Sequence, residues 1–377
     1  MKLQRLKSID IFRGICMVWM ISTHLIDWWL RSEYYWLHSV TVMIFDPFGA
    51  SGFLFVSGIS IALSYRNNLR KVKSDEDFTL RTVRNTYLVR ASIILIIALI
   101  YNSFIALSLM DPSWIWTWFV LLTAAISLFI AWPLLKTSRL LRIVIGCGFW
   151  IANPIIISVL LPYEGTLSLN GILFHILYSG IGLDPILVFF PFFLFGTVIG
   201  DTLFNVYQID PSETGFRKTF GYKYLGPTIG IGSILIIFGV FFEYPNFLRR
   251  ESFSWVFYSL GIDIVFISLL LLLEIFETIK TKKSYKLFFY YSYYSLTIFL
   301  AHNILYFLFL EKLGMNIWFF TVVTFIFMTI ILRFIYKKWK ESASLKVQIK
   351  KLGSGITRKI EKRSNKKVNE IATFEHK

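Results

Sequence analysis

The stretch Ser8-Ile9-Asp10-Ile11-Phe12-Arg13-Gly14-Ile15-Cys16-Met17-Val18-Trp19-Met20-Ile21-Ser22-Thr23-His24-Leu25-Ile26-Asp27 decides the fold. It has the roughly 20-residue length that a helix needs to cross the hydrocarbon of a bilayer. It is apolar apart from a few positions, yet it carries Asp10, Arg13, His24 and Asp27. An ionisable side chain at membrane depth costs several kcal/mol unless it is paired, hydrated or in use, so these four demand partners elsewhere in the chain. Arg13 and His24 are eleven residues apart, which is three helical turns. They therefore share one face at a separation of roughly 16 Å along the axis.

The rest of the chain agrees with a membrane reading. Of 377 residues, 56% are hydrophobic and only 16% charged, more apolar surface than a soluble core would cover. Apolar runs at residues 9–30, 42–64, 86–108, 115–135, 141–161, 185–205, 224–243, 253–277, 289–311 and 316–336 predict an all-α polytopic transmembrane bundle of about ten helices. Residues 1–336 form this transmembrane domain, and 337–377 form a basic cytoplasmic tail.

Charge placement sets the orientation. All of the 39 Lys and Arg residues except Arg13, Arg31, Arg249, Arg250 and Lys312 fall on one side of this arrangement, which predicts that both termini are cytoplasmic. The net charge of +16 is thus a positive-inside signal facing membrane lipids, and no nucleic-acid partner is expected. The first span is interrupted by Arg13 and lacks a small-residue cleavage site, so it is expected to stay in place; the chain is an integral multi-pass protein, expected in the cell membrane. Cys16 and Cys147 lie inside apolar runs and read as small core residues. Gly196 with Gly200, and Gly226 with Gly230, are spaced for close helix crossings. The tail is expected to lie on the surface or in part disordered, and to serve membrane adhesion. No His-x-x-x-His pair or spaced carboxylate cluster occurs, so no metal is expected.

The separation of Arg13 and His24 suits a long ligand with its anionic head inside and its reactive end near the exterior, the shape of an acyl-pantetheine thioester. Asp10, three residues before Arg13, and Arg66 in the inner connection are further candidates for holding such a cofactor. Toward the outer side lie Asp27, His38, Asp46, His175 and Asp184, and a histidine beside a carboxylate there makes an oriented general base. Asp263 and His302 fall near mid-membrane on the eighth and ninth spans, where a mutual hydrogen bond is the simplest way to keep either, with a structural or gate role.

The segment Arg5-Leu6-Lys7-Ser8-Ile9-Asp10-Ile11-Phe12-Arg13-Gly14 followed by His24 resembles the opening of the heparan-alpha-glucosaminide N-acetyltransferase family. So does Phe48-Gly49-Ala50-Ser51-Gly52-Phe53-Leu54-Phe55-Val56-Ser57-Gly58-Ile59-Ser60, and Ser295-Leu296-Thr297-Ile298-Phe299-Leu300-Ala301-His302 resembles a late helix motif of that family. The Arg13 to His24 spacing is similar to that of the broader membrane acyltransferase family 3. The resemblance implies a multi-helix enzyme that takes an acetyl group from cytosolic acetyl-CoA and delivers it to an amine or hydroxyl of an extracytoplasmic sugar or glycan. His38, within Trp36-Leu37-His38-Ser39, resembles the loop histidine of the lysosomal enzyme.

On this reading Arg13, Asp10 and Arg66 hold acetyl-CoA, His24 or His38 is the base, and Asp27 or Asp46 orients it. Direct transfer and an acyl-histidine intermediate are both open. A transporter or lipid-glycan flippase using the same intramembrane His and Asp is the alternative, and discontinuous helices or an inverted repeat would mark it.

Overall fold

The computed structural model describes residues 6–74, 78–179, 183–208, 215–276 and 282–375. Arg5 of the opening motif, and Lys2, Lys280 and Lys377 of the inner basic residues, lie outside them. The helices are α1 (Lys7–Trp29), α2 (Tyr35–Phe45), α3 (Ala50–Ser74), α4 (Leu80–Leu109), α5 (Val120–Leu134), α6 (Arg139–Leu160), α7 (Leu169–Leu177), α8 (Ile186–Val206), α9 (Phe216–Phe220), α10 (Gly226–Phe242), α11 (Phe253–Ile275), α12 (Lys282–Tyr293), α13 (Ser295–Ala301), α14 (Ile317–Lys338) and α15 (Leu345–Glu375). Among the described residues nine helical stretches are long and apolar enough to cross a membrane, and no strand occurs. The protein is an all-α polytopic bundle.

Local signals set the helix starts. Ser138 and Ser252 cap α6 and α11 by accepting from the amides of Leu141 and Trp255 at 3.2 and 3.1 Å. At the start of α1 the caps come from a distance, because Leu6 has no side chain to offer. Glu274, near the end of α11, accepts from the amides of Lys7 and Ser8 at 2.9 and 2.8 Å. A carboxylate there satisfies orphan amides and complements the helix dipole.

Two sets of glycines permit close crossings. A Cβ on Gly58 would stand 2.0 Å from the carbonyl oxygen of Phe193, and one on Gly196 2.1 Å from that of Phe55, so α3 and α8 pack backbone to backbone. Gly200 belongs to the same crossing. Gly226 and Gly230 do not work this way, since nothing lies within 4 Å of a Cβ on Gly230. Gly232 and Gly239 make the α10–α11 contact instead, with Gly261 facing them.

The expected spans are corrected in three places. The second begins at Ala50 rather than 42, because residues 35–45 form the separate helix α2 with Trp36 and Ile44 exposed. It then continues to Ser74, so Arg66, Arg70 and Lys71 extend a helix rather than a loop; long basic side chains are good helix formers once past the hydrocarbon. The ninth span is discontinuous: α12 ends at Tyr293, α13 at Ala301, and a 3-10 turn covers His302–Phe307. Here the Tyr294 hydroxyl donates to the carbonyl of Lys340 (2.7 Å), the Ser344 hydroxyl to that of Tyr293 (2.8 Å) and the Thr297 hydroxyl to that of Ala343 (3.1 Å). Side-chain partners of this kind make a broken helix tolerable at membrane depth.

Arg66 holds this framework. Its Nε and Nη2 donate to the Asp201 carboxylate at 2.7 and 2.6 Å, and the fully buried Arg142 of α6 donates to the same carboxylate and to Thr197. One carboxylate of α8 thus ties α3 to α6. Removing one partner of a buried charge network costs about 3–5 kcal/mol because the others stay buried and uncompensated. Asp201→Ala is therefore expected to lower the melting temperature in detergent sharply, and Asp27→Ala, at a partly exposed carboxylate, to leave it nearly unchanged; equal melting of the two would show that the triad does not hold the helices.

Candidate active site

The two ends of α1, labelled inner and outer after the orientation expected from the basic-residue bias, carry two different environments. At the inner end Arg13 donates to the Ser60 hydroxyl of α3 at 2.5 Å, and Asp10 accepts from Tyr285 and Ser292 of α12 at 3.0 and 3.1 Å. Arg13 and Asp10 line a cavity of about 360 Å³ together with Ser60, Asn67, Arg90 and Tyr293. Ser60, Leu63 and Asn67 follow an i, i+3, i+7 spacing and so share the face of α3 that meets this cavity. Arg66 points away from it, toward α8. The geometry thus sets Arg66 apart from the cavity that Arg13 lines and binds it to Asp201.

At the outer end His24 stacks on Trp28 (ring centroids 5.2 Å) and lies against His302 (5.1 Å), and Trp28 also stacks on His302 (5.6 Å). His302 is buried, and its Nδ1 lies 2.5 Å from the carbonyl oxygen of Phe299. A carbonyl only accepts, so Nδ1 carries the proton and Nε2 keeps a lone pair. That Nε2 has no hydrogen-bond partner. Asn303, the next residue, donates to the hydroxyl of Tyr101 on α4 at 2.9 Å.

His38 sits slightly apart. Its Nε2 is 3.9 Å from Asp27 Oδ1, which also accepts from the Tyr35 hydroxyl at 2.6 Å. His24 lies within electrostatic reach of His38, His302 and Arg250. Of the two carboxylates expected to orient a histidine, Asp27 is placed to do so. Asp46 is not: it opens the turn before α3, on the side facing α11, and its Oδ1 is 3.4 Å from Arg250 Nη1.

Asp263 and His302 do not meet. Both Asp263 oxygens are buried without a hydrogen-bond partner, and a Cβ on Gly52 would stand 3.0 Å from Oδ1 and 3.2 Å from Cys16 Sγ. Asp263 is wedged between α11, α3 and α1 while His302 lies beyond the break in the ninth span, so the expected hydrogen bond is absent. Along α1 between Arg13 and His24, Met17 is 1% exposed and Met20 partly exposed. The middle of the shared face is closed by an unbranched, adaptable side chain.

Arg250 and Glu251 form a cluster that their place in a short outer loop did not disclose. Arg250 Nη2 donates to Asp184 at 2.6 Å, and Nε lies 3.8 Å from Glu251. Three carboxylates, Asp46, Asp184 and Glu251, thus surround one guanidinium. Glu251 adopts a left-handed φ of 65°, an uncommon conformation for a residue with a side chain. His175, in the last turn of α7, has no part in this cluster.

A cationic cavity at Arg13 and the His24 ring, packed on His302, thus lie three turns apart along one face of α1. Residues 5–241, more than half of the chain, match the family heparan-alpha-glucosaminide N-acetyltransferase, catalytic. The chain belongs to this family, and the family implies acetyltransferase activity. A comparison with curated proteins finds no match.

Burial pushes Asp184 up to about 6 and Glu251 up to about 7, against the opposing pull of Arg250. In the unfolded chain both titrate near 4. Between about pH 4 and 7 the folded protein therefore holds more protons than the unfolded chain, and stability falls as pH rises through that window. Melting temperature in detergent should drop from pH 5 to pH 8, and Glu251→Gln should flatten part of the slope; an unchanged slope in the variant would mean that Glu251 is charged throughout.

Proposed function

We propose that the protein transfers an acetyl group from acetyl-CoA, bound from the cytoplasmic side at the Arg13 end, to an amine or hydroxyl of a sugar or glycan at the His24 end. The observation that carries this reading is the placement of a cationic cavity and of His24, paired with His302, three turns apart along one face of α1, in a chain of an acetyltransferase family. The cavity volume lies at the low end of the ~300–1,000 Å³ range of ligand sites, which suits one end of a long donor better than the whole. The thioester arm then runs outward past Met17 and Met20, which give way as it enters.

At the outer end the acceptor nitrogen or oxygen attacks the thioester carbonyl. The C–S bond breaks, and coenzyme A leaves as the thiolate. His302 Nε2, the lone pair left without a partner, takes the acceptor's proton and passes it to the thiolate. His24 and Trp28 hold the reacting carbonyl against it. His38, with Asp27 and Tyr35, sits at the edge where a polar acceptor docks. The route through an acetyl-imidazole uses the same residues, and acid quenching followed by mass spectrometry distinguishes the two. The basic-residue bias supports a cytoplasmic donor side.

The discontinuous α12–α13 segment favours a second reading, since broken helices at mid-membrane are common in transporters. Acetyl-CoA separates the two. The enzyme reading expects a clear rise in melting temperature with acetyl-CoA and transfer to an amino sugar. His302→Ala is expected to lower turnover by about 10²–10⁴-fold, the usual worth of a general base, and His24→Ala to lower it through the lost seat of the carbonyl, with the rise in melting temperature retained in both. Full turnover in both variants would end this mechanism, and no response to acetyl-CoA in the native chain would favour transport.

A further inference from the structure

The expectation that residues 337–377 serve only adhesion meets an unexpected arrangement. The tail helix α15 lies against α4, burying Ile349, Gly353 and Thr357, an i, i+4, i+8 stripe along one face. A Cβ on Gly353 would stand 2.8 Å from Arg90 Cγ, so the helix crosses directly over the Arg90 side chain. The turn that enters α15 is tied to the α12–α13 break, where the Leu345 amide donates to Thr297 Oγ1 at 3.1 Å and Ser344 is fully buried. This seating brings Lys346, Val347 and Lys350 into the wall of the cavity that holds Arg13.

The chemistry of that wall is specific. Among the described residues that line the cavity are four cations, Arg13, Arg90, Lys346 and Lys350, and one carboxylate, Asp10, which is engaged by Tyr285 and Ser292. Arg90 Nε is buried without a hydrogen-bond partner. An unsatisfied guanidinium N–H beside two lysines calls for an anion with several acceptor oxygens.

We propose that α15, which lies outside the residues matched to the family, is the phosphate-binding wall of the donor site: Lys346 and Lys350, with Arg90 behind them, hold the phosphates of the acyl donor and make the protein select a phosphorylated over a nucleotide-free thioester. This rests on the acetyl-CoA reading above. The same four cations suit the phosphate of an anionic lipid headgroup, and the experiment distinguishes the two sources.

The test compares the full chain with Lys346→Ala/Lys350→Ala and with Gly353→Val, which displaces the helix while keeping both lysines. Both variants should raise KM for acetyl-CoA by roughly tenfold or more, the worth of one lost charge-assisted hydrogen bond, with a much smaller change in kcat. KM for S-acetylpantetheine, which has neither diphosphate nor nucleotide, should not rise. An equal rise for both donors would reduce α15 to a structural support and overturn the proposal, as would an unchanged KM for acetyl-CoA.

If the native protein turns over neither thioester, the acetyltransferase reading fails by itself and coenzyme A binding decides the role of α15. Stabilisation by coenzyme A that weakens in the lysine variant supports the phosphate wall, and stabilisation that persists overturns it. Phosphatidylglycerol nanodiscs that stabilise the native chain but not the variant, with coenzyme A indifferent to the lysines, would assign the wall to lipid and overturn it as well.

Discussion

Hydrocarbon offers no hydrogen bonds, and this constraint organises the molecule around α1. Its first amides are met by Glu274 from α11, Asp10 by α12 and Arg13 by α3. At the other end the Trp29 indole donates to the carbonyl of Leu305, and the amide of Leu313 donates to the Trp29 carbonyl. A helix with charged ends cannot face lipid, so four other segments are recruited to it. The inner cavity and the outer histidine pair are both consequences of that recruitment.

The remaining helices form a support whose logic is different. The glycine crossing of α3 on α8 and the Arg66–Asp201–Arg142 triad join α3, α6 and α8 at short range. Phe189, Phe190, Phe192 and Phe193 of α8 are almost completely buried there. This rigid half presents Ser60, Leu63 and Asn67 to the cavity from its far side. The opposite wall is built of the short helices α12 and α13 and of the tail helix α15, joined by side-chain hydrogen bonds to backbone carbonyls.

Parts of the candidate site were legible before any coordinates. Arg13 and His24 fall at opposite ends of one helix face because periodicity alone places them, and Asp27 lies beside His38 as a carboxylate near a histidine in sequence often does. Other residues lie apart from their expected neighbours for a common reason. Arg66 is six residues beyond Ser60, which turns it about 120° around α3 toward α8, and Asp46 faces Arg250 because of the turn that precedes α3. Lys346 and Lys350 looked like any basic tail, since nothing in a run of lysines records which helix it will lie against.

The sequence by itself determined the all-α polytopic class and which helix carries charge at both ends, since each depends on length, hydropathy and 3.6-residue periodicity. The family is also readable there, because its motifs are contiguous. Only the tertiary structure decided that His302, and not Asp263, shares the outer site with His24, that Asp201 collects two arginines, and that the tail closes the inner cavity. These pairings join residues far apart along the chain, and their register is set by where glycines allow backbones to touch and where a broken helix finds its hydrogen bonds. Those quantities belong to packing, and local sequence does not encode them.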